Sequence, residues 1–318
     1  KLILFKKLMK KKSNIIFDQD LAIAKKISKI AKKNNLKQLS IGSNNSDLVV
    51  IDHKFLNFKQ HVRFFYKNNT YSFSTQLIGK VQINNLLMSI LAATKSNLKL
   101  KKILNSIEKV KPVPGRLEKI SNLKNNSTVI LDYAHTPDAL RVCLKNIKDQ
   151  FSLKKITIVF GCGGERDKPK RKIMGRIANK YCNKIYLTDD NPRKENPKKI
   201  RDQIKINISR KKLIEISSRK IAINTAIKNI QSDEVVIVAG KGHESYQEYK
   251  SRKYFSDRDC ILKSIKEKNK SLNNNWKVNI LEENLKKRLS KNLNINEARI
   301  NSREIKKNNI FFGIKGIK

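Results

Sequence analysis

The sequence predicts an α/β protein built around a mostly parallel sheet. Two observations carry the prediction. In the middle of the chain, short apolar runs alternate with segments of helix length, which is the rhythm of βαβ units. Chemically rich clusters follow the apolar runs directly, at the strand ends where open parallel sheets bind ligands.

Strands are expected at Thr128–Asp132, Ile156–Phe160, Lys184–Leu187, Leu213–Ile216 and Val235–Ala239. Helices are expected near Pro137–Asp149, Lys170–Tyr181, Pro197–Ser209 and Arg219–Ile230, with right-handed crossovers. Asp132-Tyr133-Ala134-His135 follows the first strand, and Gly161 to Asp167 follows the second. Asp189 to Arg193 follows the third, and Gly240 to Glu244 the fifth.

The first hundred residues are less regular. A strand is expected at Asn14–Phe17 and a helix at Asp20–Asn34, with Asp near its start. Alternating runs follow at Leu48–Asp52, Val62–Tyr66 and Tyr71–Phe73, then helices at Asn84–Thr94 and Leu100–Val110. Pro112-Val113-Pro114-Gly115 breaks the helical pattern and marks a domain boundary. Lys266 to Asn275 reads as a Lys/Asn-rich linker, followed by a helix at Leu281–Leu293 and a strand at Ile310–Gly313. The chain opens in what reads as mid-helix, without Met, and ends without a stop signal, so a piece of a longer protein is expected.

Composition narrows the class. The 318 residues have room for two domains with real cores. Lys+Arg number 71 against 27 Asp+Glu, a net charge of +44. Such a balance can mark a nucleic-acid binder. Here the lysines run through the whole chain with Asn and Ile, without a nucleic-acid motif or interleaved aromatics. A general lysine bias accounts for them. The cysteines Cys143, Cys162, Cys182 and Cys260 form no C-x-x-C pair, which argues against a zinc ribbon or a thioredoxin-type site. There is no secretory apolar segment and no long apolar run, so a reduced, cytoplasmic protein without membrane insertion is expected.

The pairing of Thr188-Asp189-Asp190-Asn191-Pro192-Arg193 with Gly240-Lys241-Gly242-His243-Glu244 is the most specific chemical signal. A guanidinium and an amide follow one strand, and a carboxylate follows another. Arg, Asn and Glu together suit a small ligand carrying both a carboxylate and an ammonium, such as an amino acid. Two phosphate-loop candidates fail. Gly240 to Ser245 lacks the G-x-x-x-x-G-K-[ST] spacing, and Gly161-Cys162-Gly163-Gly164 runs into Glu-Arg-Asp-Lys, which is wrong for a dinucleotide turn.

These segments, with Pro114-Gly115-Arg116-Leu117-Glu118, Asp132 to Leu140 and Gly163-Gly164-Glu165-Arg166-Asp167-Lys168, resemble the Mur ligase family, in its diaminopimelate-adding branch, over residues 1 to about 268. From about Trp276, Asn301-Ser302-Arg303-Glu304-Ile305 and Ile310 to Gly316 resemble the opening of the next ligase of the series, as in a fused pair. The resemblance implies the back of a central ATPase domain at 1–111, a Rossmann-like amino-acid-binding domain at 112–268, and a linker with the start of a second ligase at 269–318. It also implies an amide ligase of peptidoglycan synthesis. ATP phosphorylates the D-Glu side chain of UDP-MurNAc-L-Ala-D-Glu, and the amine of meso-diaminopimelate attacks the acyl phosphate.

Carried over residue by residue, Arg116, Asp132 and His135 match nucleotide-contacting positions. The alternative readings are a solvated surface arginine for Arg116 and strand-end or cap residues for Asp132 and His135. Gln82 and Asn85 match a segment in which the family carries two asparagines near adenine, so Gln82 is a departure; helix capping is the other reading. Arg166, Asp190, Asn191, Pro192, Arg193, Gly240 and Glu244 match the diaminopimelate pocket. There Arg193 can fork onto a carboxylate and Glu244 can pair with an ammonium. Lys1 matches a catalytic lysine whose carbamate helps hold Mg²⁺. The family's P-loop has no match in these residues, so this chain alone is expected to be inactive. Another amide ligase of the superfamily, lysine-adding or folylpolyglutamate-type, and a basic nucleic-acid-binding module remain as alternatives.

Overall fold

A computed structural model describes residues 2–56, 59–274, 297–299 and 309–311. Residues up to Lys119 together with Asp132–Lys154 form one compact unit; Ile120–Leu131 and the residues from Lys155 onward form another.

The first unit opens with a π-helical turn at Leu4–Leu8. It continues through β1 (Asn14–Asp18), α1 (Ala24–Lys33), β2 (Lys37–Gly42), β3 (Leu48–Leu56), β4 (Lys59–Tyr66), β5 (Asn69–Thr75), α2 (Lys80–Thr94) and α3 (Leu100–Ser106), with a 3-10 turn at Ile107–Lys109. The sheet runs β1-β2-β3-β4-β5. β1, β2 and β3 pair in parallel, and β3, β4 and β5 antiparallel. Ile83, Leu87, Ile90 and Leu91 lie on one face of α2, at helical spacing, and join Leu39, Ile41, Val62 and Phe64 of the sheet. Ile15, Phe17, Ala24, Ile27 and Ala31 form a smaller cluster under α1.

Two local expectations need correction here. The helix expected from Asp20 begins at Ala24, with no side-chain cap. The Asp20 carboxylate instead accepts from Ser43 N at 3.0 Å and Ser43 Oγ at 2.7 Å. The loop after β2 supplies donors that compete with the helix end. The sequence also gave no warning of β2, whose Lys-Gln-Leu-Ser-Ile-Gly shows little alternation but is buried at its last four positions.

The second unit is organised by one six-stranded sheet. Its strands are β6 (Glu118–Asn122), β7 (Thr128–Asp132), β8 (Lys155–Phe160), β9 (Lys184–Leu187), β10 (Leu213–Glu215) and β11 (Glu234–Ala239), in the order β10-β9-β8-β11-β7-β6. β10, β9, β8 and β11 are parallel. The helices, in chain order, are α4 (Pro137–Gln150, in the first unit), α5 (Lys170–Tyr181), α6 (Pro197–Lys205), α7 (Arg219–Lys228) and α8 (Asp257–Asn274). Thr136, Asn196 and Ser218 cap α4, α6 and α7 with their side chains, and Pro opens α4 and α6. The expected parallel α/β arrangement is present, and each expected central strand falls within two residues of its observed ends.

The stretch from Lys266 to Asn275 is not a linker over its described part: it is the back of α8. Ile261 and Ile265 of α8 pack against Ala222, Ile223, Ala226 and Ile227 of α7. Lys268 Nζ donates to Lys228 O at 2.8 Å, and Asn269 Oδ1 accepts from Lys124 N at 3.3 Å. A narrow apolar face pins the helix, while its Lys/Asn face gives the segment a linker's composition. The hairpin of β12 (Tyr246–Glu248) and β13 (Arg252–Tyr254) was also unforeseen. A short parallel pair, β14 (Glu297–Arg299) with β15 (Asn309–Phe311), completes the described chain. Lys1, Trp276, the helix expected at Leu281–Leu293 and the motif at 301–305 lie outside the described residues. Among the described residues no helix is long and apolar enough to cross a membrane.

Candidate functional site

The clusters after β8, β9 and β11 meet at one end of the second unit's sheet. Asn191 is the hub. Its Oδ1 accepts from Lys241 Nζ at 3.0 Å and from Glu248 N at 2.9 Å, and its Nδ2 donates to Glu244 Oε2 at 3.2 Å. Two donors on one side and a carboxylate on the other fix the amide orientation. Lys241 Nζ also pairs with Glu244 Oε2 at 3.2 Å, and the lysine is fully buried. A buried ammonium is tolerated only with such partners.

Arg193 stands beside this group in the left-handed region, at φ 55°. Its backbone is held there by donation from Arg193 N to Glu248 O at 3.0 Å. Its Nη1 donates to Gly164 O at 2.7 Å, and its Nε lies 3.4 Å from Glu248 Oε2. A Cβ on Gly163 would sit 3.0 Å from Arg193 Nη1 and 4.0 Å from Arg166 Cγ, so Arg193, from the loop after β9, approaches Arg166 at the loop after β8. Arg166 is exposed. Gly240 has φ +115°, and a Cβ there would meet Asp190 Oδ2 at 2.9 Å. The turn after β11 thus needs glycine twice over, for its backbone and for the Asp190 carboxylate.

A buried layer supports the loops. Arg219 donates twice to Asp257, at 2.7 Å each, and to Ala239 O at 2.9 Å, with Asp190 Oδ2 at 3.8 Å. Burial alone would lower the Arg219 guanidinium, but the Asp257 and Asp190 carboxylates outweigh it and hold the group above its usual range. Arg201 pairs with Asp189 and with Glu215, and Tyr249 Oη donates to Asp189 Oδ2 at 3.0 Å. Burial, then the Asp189 charge, pushes the Tyr249 phenol up to about 12. Under the loop after β8, buried Arg171 donates to Glu195, Gln203 and Gly163 O.

The first unit gathers the other candidates. Asp132 is buried; its Oδ2 accepts from Leu117 N and its Oδ1 from Ala134 N, both at 2.8 Å. Burial raises its carboxyl above the usual range, against the opposing pull of those N–H groups, Cys143 and Arg116. The Arg116 guanidinium stacks 4.4 Å over the Tyr133 ring, which meets His135 edge-on at 4.7 Å. Gln82 Nε2 donates to Arg116 O at 3.1 Å, joining α2 to the same loop. Asn85 is exposed on α2.

None of Asp132, His135, Gln82 and Asn85 caps a helix. Thr136 caps α4, while Gly79 N and Val81 N at the start of α2 are taken by Gln150 and Asn146 of α4. Among the described residues no group of three or more His, Cys, Asp and Glu side chains converges on a metal position. Lys1, the residue expected to help hold Mg²⁺, lies outside the described residues.

Sequence reasoning did not assign Lys241, Glu248, Arg219 or Asp257. Lys241 was visible only as a member of the Gly240 to Glu244 motif and of a failed phosphate loop, without a role of its own. The other three carry no local signal, because their partners lie on other strands and helices.

The chain matches the Mur ligase middle domain over residues 1–93 and the Mur ligase glutamate ligase domain over residues 115–242. It is 39% identical over 250 residues to a UDP-N-acetylmuramoyl-L-alanyl-D-glutamate–2,6-diaminopimelate ligase of Rickettsia bellii, covering 78% of this chain and 51% of that one. The same-named protein of Rickettsia rickettsii is 43% identical over 211 residues, covering 65% and 43%. The chain therefore spans about half the length of the curated relatives it matches. A solved structure of a ligase of that name superposes with a TM-score of 0.60 at 31% identity, covering 80% of this chain and 53% of that one. A Thermotoga maritima MurF ligase in complex with ADP superposes at 0.58 with 15% identity over 82% of this chain and 55% of that one, which speaks for the fold alone. Two ordered domain matches, the parallel sheet and the shared superposition lead to one conclusion: this chain belongs to the Mur ligase family.

Proposed function

We propose that the protein serves as an ATP-dependent amide ligase joining meso-diaminopimelate to UDP-MurNAc-L-Ala-D-Glu in cytoplasmic peptidoglycan precursor synthesis. The observation that carries this reading is the placement of Arg193, Asn191 and Glu244 around one point in the second unit. The distal end of diaminopimelate bears a carboxylate and an ammonium on one carbon. Arg193 offers a planar fork to the first, and Glu244 offers a carboxylate to the second. Asn191 sets the distance between them, Gly240 and Pro192 shape the turns, Asp190 braces Gly240, and Arg166 adds a donor from the loop after β8. Lysine lacks the carboxylate that Arg193 would meet. Names of the relatives support the same substrate.

For the nucleotide we assign the Arg116–Tyr133–His135 stack with Asp132, Gln82 and Asn85. Arg116 would neutralise phosphate, and the Asp132 carboxylate would accept a ribose hydroxyl beside its two backbone bonds and its Cys143 contact. In the reaction, the γ-phosphoryl group of ATP passes to the D-Glu side-chain carboxylate. The diaminopimelate amine then attacks the acyl carbon, phosphate leaves, and the amine gives up a proton. Such chemistry rests on positioning and charge neutralisation more than on a protein nucleophile.

Calorimetric titration of the chain with millimolar meso-diaminopimelate and, separately, L-lysine tests the reading. Binding of diaminopimelate alone, lost in Arg193→Ala, is expected. Equal binding of both amino acids, unchanged by the substitution, would point to another amide ligase of the superfamily.

A further inference from the structure

The diaminopimelate pocket proposed above contains two more charged side chains than its ligand contacts require. Arg193 lies 3.4 Å from Glu248, and Glu244 lies 3.2 Å from Lys241. The site is therefore charge-balanced with nothing bound. Neighbouring charges do not upset the balance. Asp190 faces Arg219, Arg252 approaches Glu248 at 3.5 Å but is largely in solvent, and Arg166 is exposed and screened. Glu248 has a second feature: its Oε2 is buried yet accepts no hydrogen bond among the described residues. That oxygen relies on the 3.4 Å ion pair with Arg193 Nε alone, so it keeps acceptor capacity for a ligand N–H⁺.

We infer that Lys241 and Glu248 are specificity-determining residues that make the pocket selective for a net-neutral, zwitterionic ligand end. A distal carboxylate meets Arg193, whose resident partner is Glu248, and a distal ammonium meets Glu244, whose resident partner is Lys241. Both charges arriving together leave the cluster neutral. An ammonium alone leaves it at plus one, and a carboxylate alone at minus one, around a lysine with no access to water. Low local dielectric makes that imbalance expensive. Selection against lysine-like ends thus has a repulsive component beside the attraction of Arg193.

The inference rests on the ligand reading above, and one experiment separates the two. Wild type, Lys241→Met and Glu248→Gln are titrated with meso-diaminopimelate, L-lysine and L-2-aminopimelate, which carry both distal charges, the ammonium only, and the carboxylate only. Urea unfolding confirms that each variant is folded; Glu248→Gln, on a partly exposed hairpin, provides the test should Lys241→Met be unfolded. Lys241→Met is expected to move the diaminopimelate-to-lysine affinity ratio toward lysine by about tenfold, the effect of one unpaired buried charge. Glu248→Gln is expected to move the diaminopimelate-to-aminopimelate ratio toward aminopimelate by a similar factor. Equal weakening of all three ligands in both variants would mean a purely structural role and overturns the inference while leaving the ligand reading intact. Wild type that binds none of the three, or binds lysine as well as diaminopimelate, overturns the ligand reading and the inference with it.

Discussion

The Arg219–Asp257 pair ties the loop after β11 to the starts of α7 and α8, and removing its carboxylate tests the whole support layer. Both side chains are fully enclosed, at 0% exposure each. Asp257→Ala deletes two charge-assisted hydrogen bonds of 2.7 Å and leaves the guanidinium with Ala239 O at 2.9 Å and Asp190 at 3.8 Å. Breaking such a buried pair from one side costs about 3–5 kcal/mol, because the surviving charge stays desolvated. For a unit of this size that corresponds to a fall in Tm of roughly 6–20 °C. Urea unfolding at neutral pH reads it directly, as a lower midpoint at unchanged slope. The double variant Arg219→Met/Asp257→Leu should recover most of the loss, since apolar groups of similar volume carry no desolvation penalty. A single variant that loses less than about 1 kcal/mol, or a double variant no better than the single one, would refute the account of Arg219 as a desolvated, carboxylate-dependent brace.

Three other outcomes are expected. Gly175→Ala places a Cβ 2.0 Å from Ile204 O, between α5 and α6, and should cost about 1–3 kcal/mol of unfolding free energy by overpacking. Gly240→Ala combines φ +115° with a contact to Asp190 Oδ2 at 2.9 Å; it should lose about 1–3 kcal/mol from strain and also weaken diaminopimelate binding, read by unfolding and by titration. Hydrogen bonding from Arg171 holds the Glu195 carboxyl down at about 2, despite opposing desolvation. A depressed carboxylate stabilises above its unfolded value of about 4.3 and loses that contribution as pH falls toward about 2, so the advantage of wild type over Glu195→Gln should be full at pH 6 and shrink steadily below about 4.3.

β7, β8, β9 and β11 were legible because each is an apolar run followed by a polar cluster, and burial on both faces leaves the sequence no other use for Val235 to Ala239 or Ile156 to Phe160; β6, Glu-Lys-Ile-Ser-Asn, carries no such signal and was missed. The same logic misreads elements whose burial is narrow. α8 anchors itself through Ile261 and Ile265 while Lys266, Lys268 and Lys270 give it a linker's composition. β2 hides because Leu39 and Ile41 are the only apolar side chains in Lys-Gln-Leu-Ser-Ile-Gly, too short a run to read as a strand, and the burial of Ser40 against Asp47 leaves no mark in the sequence. Asp20 misleads in the other direction: an acidic residue before an apolar-periodic run is a cap signal, until a loop residue such as Ser43 offers it better donors.

The candidate site divides along the same line. Asn191, Arg193 and Glu244 can be picked out from sequence because a ligand that contacts strand-end loops must meet residues within a few positions of each strand terminus, and the chain order delivers them there. Their counter-charges cannot, because nothing in the order of residues says that Glu248 will return on a hairpin to face Arg193, or that Lys241 will turn inward rather than into solvent. In a chain with 71 Lys and Arg, a lysine after a strand has a ready surface explanation. Only its complete burial against Asn191 and Glu244 removes that explanation. The groups assigned to face the ligand are thus set by local position, whereas their counter-charges are set by topology, and the selectivity we propose for this pocket belongs to the second class.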